Sequence, residues 1–300
     1  MNFKTSLTQW CDISLDSRIL IITDKIQYEI AEFFQNELDN DCEIIQFEPA
    51  DIMTNKLKEL KEDDLLIVIL SFDTFIKDGA NNYFSPFTTP NGIVAKYIFI
   101  RLNISKESLL QGLSTPKSLV YNKIAERKTL NFNNVRIVNN SGTNIILKID
   151  SFDTYSYEIN NECKHAFLPP SETSARVIAG TANGKIVIDI TVGQLYYYGN
   201  LLGYFGAVKT PITMIVQNGL VADIYGNDMA NELKHKLFAL PVECRELVEL
   251  GQGLSKMEPT GLIGIDESII DTCHFGIGDS EKCGLHLDVV ISNPTLEKIN

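Results

Sequence analysis

Two of the chain's four histidines fall in one short stretch, Thr272-Cys-His-Phe-Gly-Ile-Gly278 followed after a polar loop by Leu285-His-Leu-Asp288. The runs 272–277 and 285–291 are short and rich in apolar residues. Between them stands Gly278-Asp-Ser-Glu-Lys-Cys-Gly284, which predicts two strands joined by a loop. Side chains alternate faces along a strand, so Thr272, His274 and Gly276 share one face, as do His286, Asp288 and Val290. A hairpin symmetric about Ser280 sets His274 opposite His286 and Thr272 opposite Asp288. Two imidazoles and a carboxylate on one side of a sheet are the beginnings of a site for zinc, manganese, cobalt or ferrous iron. A histidine in a strand is more often an ordinary hydrogen-bonded residue. These two are distinguished by falling in phase with an aspartate, on apolar strands whose polar groups need partners that a cation could supply. Cys273 faces away by the same alternation and reads as packing.

Those strands need a scaffold. The chain has 300 residues, 44% of them hydrophobic, enough to bury a large core or two ordinary ones. A formal charge of −13 with no basic stripe argues against nucleic acid as a partner. The first ten residues lack the pattern of a signal peptide and no segment approaches a membrane span, so the expected location is the cytoplasm, with no membrane partner. Six cysteines, at 11, 42, 163, 244, 273 and 283, include no Cys-x-x-Cys pair and fit reduced thiols.

The expected fold class is α/β: a small doubly wound N-terminal domain, residues 1–129, and a mixed α+β metal-binding domain, residues 130–300. In the first, continuous apolar runs at 18–23, 43–47, 64–71 and 97–102 alternate with helical patterns at 26–38, 52–60, 106–113 and 118–126, which predicts βαβ units around a parallel sheet. Thr23-Asp24-Lys25 stands where a glycine-rich phosphate loop would be, so a nucleotide site is a weak reading. From about residue 130 short strands dominate, at 135–138, 144–149, 156–159, 185–192, 195–198 and 213–217. Gly193-Gln194 and Asn218-Gly219 are the expected tight turns, and a helix is expected over 228–238.

Several separated segments together resemble the aminopeptidase T/aminopeptidase S metallopeptidases, the family of thermophilic-type leucyl aminopeptidases. They are Leu168-Pro-Pro-Ser-Glu-Thr-Ser-Ala175, Gly180-Thr-Ala-Asn-Gly-Lys-Ile-Val-Ile-Asp189, Pro211-Ile-Thr-Met-Ile-Val-Gln-Asn-Gly-Leu-Val221, Glu246-Leu-Val-Glu-Leu-Gly-Gln-Gly253, Gly264-Ile-Asp-Glu267 and the two hairpin strands. The likeness runs over roughly residues 160–295. It implies two divalent metals, zinc, cobalt or manganese, held by Glu172, Glu249, His274, His286 and Asp288, with Glu172 or Glu249 also serving as general base. It implies a peptide substrate shortened from its N-terminus by metal-activated water, and a homodimer. The chain departs from the family in four ways. Ser171 replaces a usual glycine, the first domain is trimmed, only eleven residues separate the two histidines, and the catalytic tyrosine beyond the first histidine has no counterpart, Glu281 falling near that offset.

Two other readings fit the same residues. His274, His286 and Asp288 satisfy the two-histidine, one-carboxylate pattern of mononuclear iron dioxygenases, and a ring-cleaving dihydroxypyridine dioxygenase is similar to this peptidase family. A non-catalytic peptide-binding protein, such as a helper in peptide natural-product biosynthesis, would keep the scaffold and lose the tyrosine. His165 is a candidate for a pocket wall and His235 for plain surface. The aromatic runs Tyr196-Tyr-Tyr198 and Tyr204-Phe205 are expected to be core.

Overall fold

The computed structural model describes residues 2–13, 16–48, 51–160 and 162–299. Their strands are, in chain order, β1 Ile19–Thr23, β2 Cys42–Gln46, β3 Leu65–Ile69, β4 Lys96–Ile100, β5 Asn134–Val138, β6 Asn144–Thr154, β7 His165–Leu168, β8 Glu172–Val177, β9 Asn183–Ile188, β10 Thr191–Tyr197, β11 Asn200–Ala207, β12 Ile212–Gln217, β13 Leu220–Tyr225, β14 Leu247–Gly253, β15 Thr272–Ile277, β16 Leu285–Ser292 and β17 Thr295–Ile299. The chain forms two compact units. One comprises residues 1–118 and 155–171, the other 119–154 and 172–300. The path thus crosses back once, so that residues 155–171 belong to the first unit, a return absent from the single boundary at 129/130 expected above.

The first unit holds a five-stranded parallel sheet in the order β2-β1-β3-β4-β7. Its central strands read Ile-Leu-Ile-Ile-Thr and Leu-Leu-Ile-Val-Ile and are buried along their whole length, as a sheet covered on both faces requires. Leu20, Ile22, Leu66, Val68, Phe99 and Phe167 form part of its core. Where the strand order reverses, between β1 and β3, the Asp24 carboxylate accepts from the backbone N–H groups of Ile26, Gln27 and Ser71. The chain's own carboxylate thus takes the amides that would face an anion in an open crevice of this kind. The sequence 156–159 is not a strand. Ile159 makes only an isolated bridge to Cys11, and the strand of this stretch is β7.

The second unit is built on a twelve-stranded sheet in the order β11-β10-β16-β15-β14-β8-β6-β9-β12-β13, with β5 and β17 paired beside β6. All its pairings are antiparallel. One face is apolar: Cys273, Phe275 and Ile277 of β15, Leu285, Leu287, Val289 and Ile291 of β16, and Leu250 of β14 lie in one cluster. The helix Asp228–Phe238 adds Ala230, Leu233 and Leu237, the i, i+3, i+7 spacing of a buried stripe. Opposite that face the same strands carry the polar residues.

Two expected turns divide. Asn218 and Gly219 adopt positive φ of 50° and 80° between β12 and β13, the hairpin expected of that dipeptide. Gly193-Gln194, by contrast, lies inside β10, and the β10–β11 turn is made by Tyr198 and Gly199, with φ of 45° and 76°. Gly193 serves close approach, since a Cβ there would sit 3.1 Å from the Asp288 carbonyl oxygen.

Candidate metal centre

Four adjacent strands of the second unit, β8, β14, β15 and β16, bring the five expected residues onto one patch. The register between β15 and β16 differs from a hairpin centred on Ser280. His274 pairs with Val290 and Gly276 with Asp288, because residues 280–283 form a helical turn that moves the centre of symmetry to Lys282. His286 therefore lies four residues along β16 from His274's partner, not opposite His274. The displacement of four residues is even, and the side-chain period of a strand is two, so every residue keeps the face that alternation assigns. Cys273 points into the apolar core, where burial pushes its thiol pKa up.

Glu172 and Glu249 arrive by the same logic. In the β8–β14 pairing Gly253 faces Glu172, Gly251 faces Ser174 and Glu249 faces Arg176. In the β14–β15 pairing Gly251 faces His274 and Glu249 faces Gly276. His274 Nε2 lies 3.3 Å from Glu172 Oε2 and 3.8 Å from Glu249 Oε1. His286 Nε2 lies 3.4 Å from Glu249 Oε2 and 3.2 Å from Asp288 Oδ1. Two donor sets result, Glu172–Glu249–His274 and Glu249–His286–Asp288, each with its ligand atoms within 4.8 Å of one another. Glu249 belongs to both.

The patch fits a cation on several observations. His274 is 2% exposed, yet among the described residues its Nδ1 meets no hydrogen-bond partner, and Asp288 Oδ1 accepts no well-aligned hydrogen bond despite the nearby imidazole. Two glycines make room for the rings. A Cβ on Gly251 would lie 1.9 Å from His274 Cε1, and one on Gly276 would lie 2.8 Å from both His286 Cε1 and Glu249 Cβ. His286 Nδ1 is 3.1 Å from the Gly278 carbonyl oxygen. A carbonyl can only accept, so Nδ1 carries a proton, which leaves Nε2 as the atom that a cation would take from the carboxylates by displacing its proton.

The electrostatics agree. Burial alone would lower His274, but Glu172, Glu249 and Asp288 hold its pKa well above the ordinary histidine value. Asp288 foremost, against burial and with Glu249 and Gly278, raises His286 to about 10. Glu249 and Asp288 stay below the usual carboxylate range despite burial, because the two imidazoles favour their charged forms. Three carboxylates crowded round two rings thus demand positive charge, which protons or divalent ions can supply.

Beside Glu249 and His286 opens a cavity of about 350 Å³, also lined by Asp153, Ser174, Arg176, Asp279 and Glu281. Arg176 and Asp153 carried no signal in a motif reading. Gly251 and Gly276, as glycines inside strands at the phase of Glu249 and His274, offered a signal that the sequence reading did not use. His165 belongs to the first unit, stacked on Tyr97 with ring centroids 5.5 Å apart and Nε2 3.0 Å from the Pro86 carbonyl oxygen. His235 is a surface residue on the helix Asp228–Phe238. Of the aromatic runs, Phe205 is core while Tyr198 and Tyr204 are exposed, and Tyr196 stands half-buried across from His286.

No protein-family model matches the sequence, and no curated protein matches it. Solved structures do match. The 2,5-dihydroxypyridine dioxygenase of Pseudomonas putida aligns with 99% of this chain and 92% of its own at 14% identity and a TM-score of 0.59. Wild-type AmpT of Thermus thermophilus, an aminopeptidase T, aligns with 99% of this chain and 96% of its own at 11% identity and a TM-score of 0.54. The chain shares its fold with both. That fold is α/β, a parallel sheet in one unit and a large antiparallel sheet in the other. Among the described residues no helix is long and apolar enough to cross a membrane.

Proposed function

We propose that the chain is a metal-dependent hydrolase of the aminopeptidase type, with Glu172, Glu249, His274, His286 and Asp288 holding two divalent cations. The observation that carries this reading is Glu249, whose two oxygens face separate imidazoles and so join the two donor sets. A mononuclear site would need only one of the two sets. Zinc, cobalt and manganese all accept this donor set of two nitrogens and three carboxylates. Such a pair, when bound, lowers the pKa of a water and polarises a carbonyl. The chain's own part is to fix the rings, through Gly278 and the glycine cradles, and to offer carboxylate oxygen at Glu172 and Glu249 for holding cation and accepting a proton. The same reading takes a peptide as substrate and a homodimer as the assembly.

The alternative, a mononuclear iron dioxygenase, is favoured by one observation, the fold likeness to the dihydroxypyridine enzyme at a TM-score of 0.59. Elemental analysis of protein purified without chelators separates the readings. Two zinc, cobalt or manganese atoms per chain, followed by release of N-terminal residues from aminoacyl substrates, is the expected result. A single iron per chain would move the protein to the dioxygenases. Retention of no metal, with none taken up from solution, would leave a peptide-binding scaffold.

A further inference from the structure

The geometry points to Arg176 as the anchor for a substrate carboxylate, which narrows the substrate class to short peptides whose free C-terminus lies about one residue beyond the reacting carbonyl. This rests on the hydrolase reading above. Arg176 pairs directly with Glu249 across β8 and β14, so both side chains stand on the site face of neighbouring strands. Among the described residues lining the cavity beside Glu249 and His286 it is the one Lys or Arg, and its side chain is 60% exposed. The cavity, about 350 Å³, is near the small end of ligand pockets and suits a dipeptide better than a long chain.

Arg176 also has donors to spare. Among the described residues its side chain makes one polar contact, Nη2 to Asp279 Oδ2 at 3.2 Å. Asp279 does not depend on it. Lys282 Nζ lies 3.3 Å from the same Oδ2, and Oδ1 accepts from the backbone N–H groups of Glu281 and Lys282. A guanidinium has five N–H groups in a planar fork, so its free edge can take a carboxylate through two parallel bonds. Adjacent strands are roughly 4.8 Å apart and an extended peptide rises about 3.4 Å per residue. A carbonyl held at Glu249 would thus present the next carboxylate to Arg176.

The test is calorimetric titration of the full chain, with and without added zinc, using leucylglycine and leucylglycinamide as the paired probes. Wild type should prefer the free acid. Arg176→Gln should bind leucylglycine about tenfold more weakly, the size of one charge-assisted pair, and leave leucylglycinamide unchanged. Arg176→Lys should fall between. Asp279→Asn should retain the preference, whereas a merely structural Arg176–Asp279 link would make it behave like Arg176→Gln. Equal binding of the two probes by the wild type, binding of neither, or equal loss on both in Arg176→Gln overturns the proposal. Cleavage is read in parallel. Preference without cleavage keeps the role of Arg176 and removes the hydrolase, while cleavage without preference does the reverse.

Discussion

Glu249 presents its two carboxylate oxygens to two different imidazoles, Oε1 lying 3.8 Å from His274 Nε2 and Oε2 lying 3.4 Å from His286 Nε2. One side chain therefore belongs to both donor sets, while His286 and Asp288 belong to only one. Their substitution should have unequal consequences. If the two sets hold two cations as proposed, Glu249→Ala should lose both, and His286→Ala should leave the Glu172–Glu249–His274 set able to hold one. Elemental analysis after dialysis reads this as atoms per chain. Two atoms retained by Glu249→Ala would show that the bridge is not a ligand.

Gly251 faces His274 across β14 and β15, and its missing side chain is the space the imidazole occupies. Gly251→Ala puts a methyl 1.9 Å from His274 Cε1, and the buried ring has nowhere to retreat. Overpacking of this kind costs on the order of 1–3 kcal/mol, so a urea midpoint should fall accordingly and metal uptake should fail with it. An alanine variant of full stability and full metal content would mean that the ring is not confined between these strands.

The face assignment of His274, His286 and Asp288 was legible from alternation, and it survived an error in the register. Centring the hairpin on Ser280 paired the wrong residues, because it takes Asp279 and Gly284 as loop residues and not as the N-cap and left-handed C-cap of a helical turn. The even displacement spared the faces. Glu172 and Glu249 were not legible from spacing, since surface glutamates such as Glu243 and Glu246 look the same one residue at a time. What selects Glu249 is three-dimensional, a strand flanked on both sides by partners of matching phase. The apolar runs of β1 and β3 revealed the parallel sheet, whereas the return of residues 155–171 to that sheet depends on distant pairing between β4 and β7. Gly193 was read as a turn because a glycine permitted by its conformation and one demanded by a neighbour's approach look identical in sequence.

Asp266 is a fully buried carboxylate that accepts from the backbone N–H groups of Thr260 and Gly261 and from the hydroxyls of Thr260 and Thr191. It ties the segment between β14 and β15 to β10. Asp266→Ala strands those donors, and with about 1–3 kcal/mol for each group left unsatisfied the loss should be on the order of 3 kcal/mol or more. Asp266→Asn keeps one acceptor oxygen and should cost less. Chemical denaturation of the two variants checks the ranking, and an alanine variant within error of wild type would show that solvent replaces the carboxylate freely.

His165 titrates in the opposite sense from the site histidines. Burial lowers its pKa below the ordinary 6.5, only partly offset by the hydrogen bond to the Pro86 carbonyl. An unfolded chain has His165 near 6.5, so between that value and the lowered folded one the unfolded state binds more protons. Stability then rises with pH across this window. Above it both states are neutral and His165 contributes no slope, and below the folded value the penalty is fully developed. His274 and His286, with raised values, slope the other way, so the wild-type profile mixes both signs. His165→Gln preserves a donor toward Pro86 and removes the titration. The difference in unfolding free energy between wild type and variant should therefore shift in favour of the variant as pH falls through 6.5, the unperturbed value. A difference independent of pH would mean that the ring takes up a proton against Tyr97 as readily as in the unfolded chain.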